Sequence, residues 1–182
     1  MIKNVTFALL LVGAWSTPEA GEESSCIIPA GEREQLIKLD FDAFDQTMGE
    51  GWRKYSARKC YREAGALIDD YYAAHKDGLE SWQKRINRWH AGQLYAMLND
   101  YETARQRFLD SYNPDEPADP PFPWNDYVAA TIAFLDGDRQ TLQKHRDRIA
   151  ASAGQQNLQV VDNLLKYFGQ PYSVAYSGGS SN

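Results

Sequence analysis

The chain has 182 residues, 43% of them hydrophobic and 13% aromatic, enough for one domain with a well-filled core and short for two. Its formal charge is −6, with Lys and Arg mixed among acids rather than gathered into a basic run. That balance argues against a nucleic-acid binder.

In chain order, Met1 to Asn4 is a short positively charged start, followed by the apolar run VTFALLLVGAW over residues 5–15. The run is too short to span a membrane and has the form of a secretory signal, with polar residues at once behind it. Residues 1–20 are therefore expected to be a signal peptide. The mature chain is expected to carry no membrane span and to be periplasmic or secreted. An oxidising compartment would permit a disulfide between Cys26 and Cys60, the only two cysteines. Such a bond would staple the N-terminal arm to the first helical hairpin. The alternative is a small buried Cys60 and a spare thiol at Cys26. Two cysteines with no local spacing motif argue against a zinc site.

Residues 21–48 read as an N-terminal arm. It is polar and extended at first, with a short helix over Glu32 to Asp40 and an irregular approach anchored by Phe41 and Phe44. Gly49 and Gly51 weaken any helix through that approach. A short helix is predicted over Trp52 to Ala57 and a longer one over Cys60 to Ala74, whose apolar face is Ala64, Leu67, Ile68, Tyr71 and Tyr72. From Leu79 to Met97 apolar residues recur at 79, 82, 86, 89 and 97, a helical period. Asn99-Asp100 is a turn, with Asp100 placed to accept from the first free N–H groups of the next helix. There the apolar set 101, 104, 108 and 112 makes one stripe. Gly92 and Ala104 are small enough for a close helix crossing if they face each other.

Residues 113–123 carry five prolines and can only be a loop. Helices follow over Trp124 to Leu135 and Arg139 to Ala150, joined by the turn 136–138. A last amphipathic helix is marked by Leu158, Val161, Leu165 and Phe168 and is stopped by Gly169 and Pro171. Residues 170–182 are expected to be a disordered tail. No strand-like alternation of any length occurs, so the fold class is all-α.

The second helix of each pair aligns on Ala64, Ala104 and Leu142, and the turns 58–59, 99–100 and 137–138 agree in phase. In the middle unit Gly92, Tyr95, Tyr101, Ala104 and Phe108 stand at the spacings of a tetratricopeptide (TPR) repeat, which the chain resembles over three degenerate units. The first unit has Trp52 where the middle one has Gly92. The third has Leu142 and Arg146 where a small and a large apolar residue are usual. The resemblance implies antiparallel hairpins stacked as a short right-handed array over 49–169, closed by a capping helix at 155–169. It also implies a concave groove made by the first helix of each hairpin, which would carry Arg53, Trp89, Gln93, Trp124, Tyr127 and Thr131. Such a groove suits a peptide or protein partner, and the expected role is an interaction module, not an enzyme.

No phosphate-cradling loop, HExxH, GxSxG or paired-Cys motif is present, and neither metal nor cofactor is expected. His75, His90 and His145 lie on three different helices and read as satisfied or solvated. Asp69 and Asp70 read as solvated. A second reading is a small periplasmic hydrolase or sugar-binding protein, with Asp45, His90 and Asn125 converging on one pocket.

Overall fold

The computed structural model describes residues 26–180, so the expected signal peptide at residues 1–20 lies outside the described residues. Those described are helical throughout, with no strand among them. In order they form α1 (Ala30–Ile37), a single π-helical turn (Asp42–Gln46), α2 (Arg53–Ser56), α3 (Tyr61–His75), α4 (Ser81–Met97) and α5 (Tyr101–Leu109). After the proline-rich loop come α6 (Trp124–Leu135), α7 (Arg139–Ala151), α8 (Leu158–Lys166) and α9 (Tyr172–Tyr176). No described helix is long and apolar enough to cross a membrane.

Three turns repeat one backbone closure. Lys59, Asn99 and Gly137 adopt φ of 62°, 60° and 71°. The next residue's N–H reaches back five residues in each case: Cys60 to Tyr55 O (3.1 Å), Asp100 to Tyr95 O (3.1 Å) and Asp138 to Ala133 O (2.8 Å). The positive-φ residue itself donates three back, to the carbonyls of Ser56, Ala96 and Phe134. This pair of bonds satisfies the carbonyls that a helix end leaves free. Asp100 and Asp138 then cap the following helix by accepting from the N–H of Thr103 and Thr141. Four residues past each cap position stand Ala64, Ala104 and Leu142, all fully buried.

Neighbours in sequence are neighbours in space: α2 packs on α3, α3 on α4, α4 on α5, α6 on α7, and α7 on α8. The crossing of α4 and α5 is tight because Gly92 has no side chain. A methyl group there would lie 2.7 Å from the Phe108 ring. Gly92 thus meets Phe108 rather than Ala104, one turn from the contact expected. At the α3–α4 crossing Gly65 sits under the Tyr95 ring in the same manner, where a Cβ would lie 3.3 Å from the ring.

A buried ion cluster ties the three central helices. Asp69 on α3 accepts from Arg88 Nη1 (2.8 Å) and Tyr95 Oη (2.8 Å) of α4, and from Arg107 Nε (2.8 Å) of α5. The expectation that Asp69 is solvated is therefore wrong: its helical phase turns it toward α4, where two of its three partners wait. Burial alone would raise its pKa. The hydrogen bonds from Arg107 and Tyr95 and the charges of Arg88 and Arg107 outweigh it and hold the carboxyl below its ordinary value. Asp70, one residue on, makes only an exposed pair with Arg33 of α1 at 2.6 Å.

The N-terminal arm is pinned at several points. The Cys26–Cys60 disulfide is formed, linking the residues before α1 to the turn before α3. Phe44 stacks on Tyr71 at 3.7 Å between ring centroids, the Tyr71 hydroxyl donates to Leu39 O, and His75 Nε2 bonds Ile37 O at 2.7 Å. The C-terminal end also departs from expectation. Residues 172–176 are helical, and Tyr172 and Ala175 are fully buried against the rest of the fold, so 170–182 is not wholly a disordered tail. Apolar anchors at two adjacent turns of so short a segment outweigh its Gly and Ser content.

The tight crossing and the ion cluster can each be tested by one substitution. Gly92→Ala should lower stability in urea by about 1–3 kcal/mol, the cost of overpacking a tight crossing. An unchanged midpoint would mean that the α4–α5 crossing opens freely. Asp69→Asn should cost about 3 kcal/mol at neutral pH, since it leaves Arg88 buried without its anion. A carboxyl held low stabilises the fold fully above the unfolded-state value of about 4 and ceases to do so as pH falls through the lower folded value. The wild type should therefore lose stability on acidification through that window, and the D69N variant should lose less. Parallel acid limbs in the two proteins would show that Asp69 is not depressed.

Candidate functional site

The residues expected to line one groove divide into two groups. Trp89, Tyr127 and Thr131 are 4%, 2% and 1% exposed. Trp89 meets Phe108, Trp124 and Tyr127 at ring-centroid distances of 4.6, 5.3 and 4.5 Å, an aromatic core between α4, α5 and α6. Thr131 turns its hydroxyl back onto Tyr127 O at 3.0 Å. Trp124 is half-buried and donates its indole N–H to Ser111 O at 2.7 Å, closing the start of the proline-rich loop. These four are core and support, not a binding wall. The helical phase that places them on one face is correct, but that face is covered.

What covers it is the chain itself. Helix α9 packs on α4 and α8, and α8 on α6. Tyr172 contacts Phe134 of α6, and its backbone N–H donates to the Tyr101 hydroxyl at 3.0 Å. The Tyr172 hydroxyl is wholly buried and makes no well-aligned hydrogen bond, although the Gln93 side chain lies beside it. Burial pushes the phenols of both Tyr127 and Tyr172 well up.

Arg53 and Gln93, the other two members of the expected set, do reach an open cleft of about 280 Å³. It lies between α2, the start of α3, α4 and α9. From α4 it receives His90, Gln93, Leu94 and Met97, which at i, i+3, i+4 and i+7 form one stripe. Opposite stand Arg53 and Ser56 of α2, with Tyr61 and Tyr176 at the sides.

Behind His90 sits Asp45, whose side chain is fully buried. The π-helical turn of 42–46 carries it inward beside Phe44, and Gly51 makes the return possible. A Cβ at Gly51 would fall on the Phe44 carbonyl, and its φ is +47°. The Asp45 carboxylate accepts from Trp52 Nε1 (3.0 Å), Gln46 Nε2 (2.6 Å) and His90 Nδ1 (3.0 Å). Arg53 Nε donates to the Asp45 carbonyl at 2.6 Å, with the guanidinium over the Trp52 ring at 4.5 Å. Because a carboxylate only accepts, the neutral imidazole must carry its proton on Nδ1. Nε2 is then a lone-pair acceptor, and no described residue donates to it.

Asn125, the third residue of the expected polar cluster, takes no part. Its side chain bridges the backbone of Asn113, accepting from the N–H and donating to the carbonyl, both at 2.8 Å. Its own N–H goes to Glu116 Oε1 at 3.0 Å. It pins the proline-rich loop, as an amide at a helix start commonly does. His145 is engaged with Asp126 at 2.5 Å, and Arg148 shares the same oxygen. Among the described residues no group of three or more His, Cys, Asp or Glu side chains could hold a metal ion.

Compared with protein-family models, curated proteins and solved structures, the chain has no match in any of the three. The site is read from its own geometry. Ser56, Tyr61 and Tyr176 belong to it and are not among the residues expected from sequence. Nothing in their sequence context marks them, since they converge only through the closure at Lys59 and the return of α9.

The tautomer of His90 is open to test. Ring-nitrogen NMR shifts of the neutral form should show Nδ1 protonated in the wild type. In Asp45→Ala the ring should sample both tautomers, and the variant should lose about 1–3 kcal/mol because Trp52 Nε1 is left without an acceptor. A wild-type ring protonated on Nε2 would contradict the assignment.

Proposed function

We propose that the chain is an exported, TPR-like helical module whose work is to hold a ligand in the cleft between α2, α4 and α9. The TPR-like part of this reading is supported by the three equivalent turn closures and the buried small or apolar residue four positions past each. In this reading α8 and α9 close the array at its C-terminal end. Export draws on the apolar run at 5–15, and the disulfide is consistent with it.

The observation that carries the binding reading is hydrogen-bonding capacity left unused. Ser56, Tyr61 and Tyr176 line the cleft, and their side chains make no hydrogen bond to another described residue, while the Gln93 amide beside them also reaches toward the Tyr172 hydroxyl. Support networks pair their members with one another, as Asp45, Trp52 and Gln46 do here. Groups turned to a common cleft and left unpaired have the form of a ligand site. The expected groove-wide grip on a peptide contracts to this cleft, because α9 and the aromatic core fill the remainder.

A hydrolase reading draws on the His90–Asp45 pair, which has the orientation of a general base. It needs a nucleophile in reach. Ser56 shares the cleft but donates no hydrogen bond to His90, so binding is the better-supported function.

The test is capture from envelope extract, with protein and glycan fractions analysed separately. The double variant Arg53→Gln/Gln93→Ala should lose the captured species while remaining folded, with wild-type helicity at the temperature of the assay. Undiminished capture would place the binding surface elsewhere, on the opposite side or the 113–123 loop.

A further inference from the structure

Resting on that reading, we infer that the cleft is built for a sugar acid: a compact, polyhydroxylated ligand bearing one carboxylate. The first ground is charge. The chain has a formal charge of −6, yet among the described residues the cleft lining includes Arg53 and no acid. The Asp45 carboxylate lies behind His90 and is fully buried, engaged by Trp52, Gln46 and His90. Arg53 commits only Nε, to a backbone carbonyl, and no described carboxylate pairs with its terminal nitrogens. A planar guanidinium with its fork free is suited to a ligand carboxylate.

The second ground is the balance of the remaining groups. Ser56, Tyr61 and Tyr176 offer hydroxyls that both donate and accept, Gln93 offers an amide, and His90 Nε2 has no partner among the described residues. One cation among several neutral hydrogen-bonding groups matches one anion among several hydroxyls. The two tyrosines also present ring surface to an apolar sugar face, and Tyr176 is steadied by stacking on Tyr172 at 5.5 Å.

The third ground separates this ligand from a peptide. The walls are helices whose backbone groups bond internally, so no strand edge is available to grip an extended chain. A helical peptide would need an extended apolar groove, whereas here the rings of Trp52, Tyr61 and Tyr176 and the side chains of Leu94 and Met97 alternate with Arg53, Ser56, His90 and Gln93 in one compact cleft. The volume of about 280 Å³ lies at the small end of small-molecule pockets. A recess of about 500 Å³ adjoins it, sharing Tyr61, Met97 and Tyr176 and bringing Lys59 as its one charge. A second uronic residue would set its carboxylate there.

The experiment is calorimetric titration of the mature, disulfide-intact chain with D-glucuronate, D-glucose, acetate, a di-uronate and a short acidic peptide. Glucuronate should bind at least about tenfold tighter than glucose or acetate, since each of those lacks one half of the recognition. Arg53→Gln and, separately, Gln93→Ala should each weaken it by about tenfold with helicity retained and a melting temperature still well above that of the titration. Two variants are used because Arg53 also supports the Asp45 backbone. The di-uronate should bind more tightly than glucuronate, and Lys59→Gln should remove that gain alone. No heat with either uronate, equal binding of acetate, or binding of the acidic peptide in place of the uronates would overturn the inference. If the double variant still loses its captured species while uronates fail to bind, the cleft remains the binding site and only the sugar-acid assignment falls.

Discussion

Asp69 is the point at which three helices are fixed to one another. A carboxylate with 22% of its side chain exposed accepts from two guanidiniums and a phenol, and each donor comes from a helix that the chain must bring back to α3. Arg88 bears the larger desolvation: its side chain is 5% exposed, and burial lowers its pKa against the pull of Asp69. Its guanidinium also lies over the Tyr72 ring at 4.0 Å and reaches Ile68 O and Asn87 Oδ1. A buried cluster of this kind contributes less to stability than its short distances suggest, because the desolvation of each ion offsets most of the attraction. What it does supply is rotation and register. Arg88 and Tyr95 lie seven residues apart on α4, two turns of helix, so both meet Asp69 only when α4 presents one particular face to α3.

That rotation decides the rest of α4. With Arg88 and Tyr95 turned to α3, Trp89, Gly92 and Ala96 fall against α5 and α6, where Gly92 admits the Phe108 ring. His90, Gln93, Leu94 and Met97 are left on the third side and become the cleft wall. The cleft is in this sense a by-product of packing on its other two sides. It stays open because α2 is only one turn long and is preceded by the inward loop that carries Asp45, rather than by a full helix as in the later hairpins.

Much of this is legible in sequence and some is not, for reasons that differ. Helices α3 to α8 follow from period, turn residues and caps, and the turns at 59, 99 and 137 share one backbone closure. Cys26 and Cys60 come together as candidates because only two cysteines exist, and the bond is formed. The face of a helix can be read from its period, but what lies on that face cannot. Trp89, Tyr127 and Thr131 are buried, because Phe108 and Trp124 pack around Trp89 and the C-terminal Tyr172 and Tyr176 lie beside Tyr127. Asn125 joins Asp45 and His90 because the TPR-like resemblance sets successive first helices side by side, whereas its neighbours in space are set by the proline-rich loop. Asp69 illustrates the converse failure. A lone acid in a helix reads as solvated unless its cations, 19 and 38 residues away, are known to return to it.

The placement of Asp45 sets the geometry at the mouth of the cleft. A surface histidine has no use for a carboxylate that is fully desolvated, and the chain commits several features to keeping this one there. They are a π-helical turn, a glycine at φ +47°, and an indole N–H and an amide to meet the remaining lone pairs. The turn and Trp52 also bring packing, since Phe44 stacks on Tyr71 and the Trp52 ring is buried, whereas the positive φ of Gly51 is a local cost. Their joint effect is to fix one imidazole in orientation and tautomer at the mouth of a cleft that the hydroxyls of Ser56, Tyr61 and Tyr176 also line. Preorganisation of that kind lowers the entropy lost when a guest is bound, and it matters most for a small guest with few contacts. A broad protein interface would gain little from one locked ring. A compact ligand held by a handful of hydrogen bonds gains a large part of its affinity and nearly all of its orientation from such a ring.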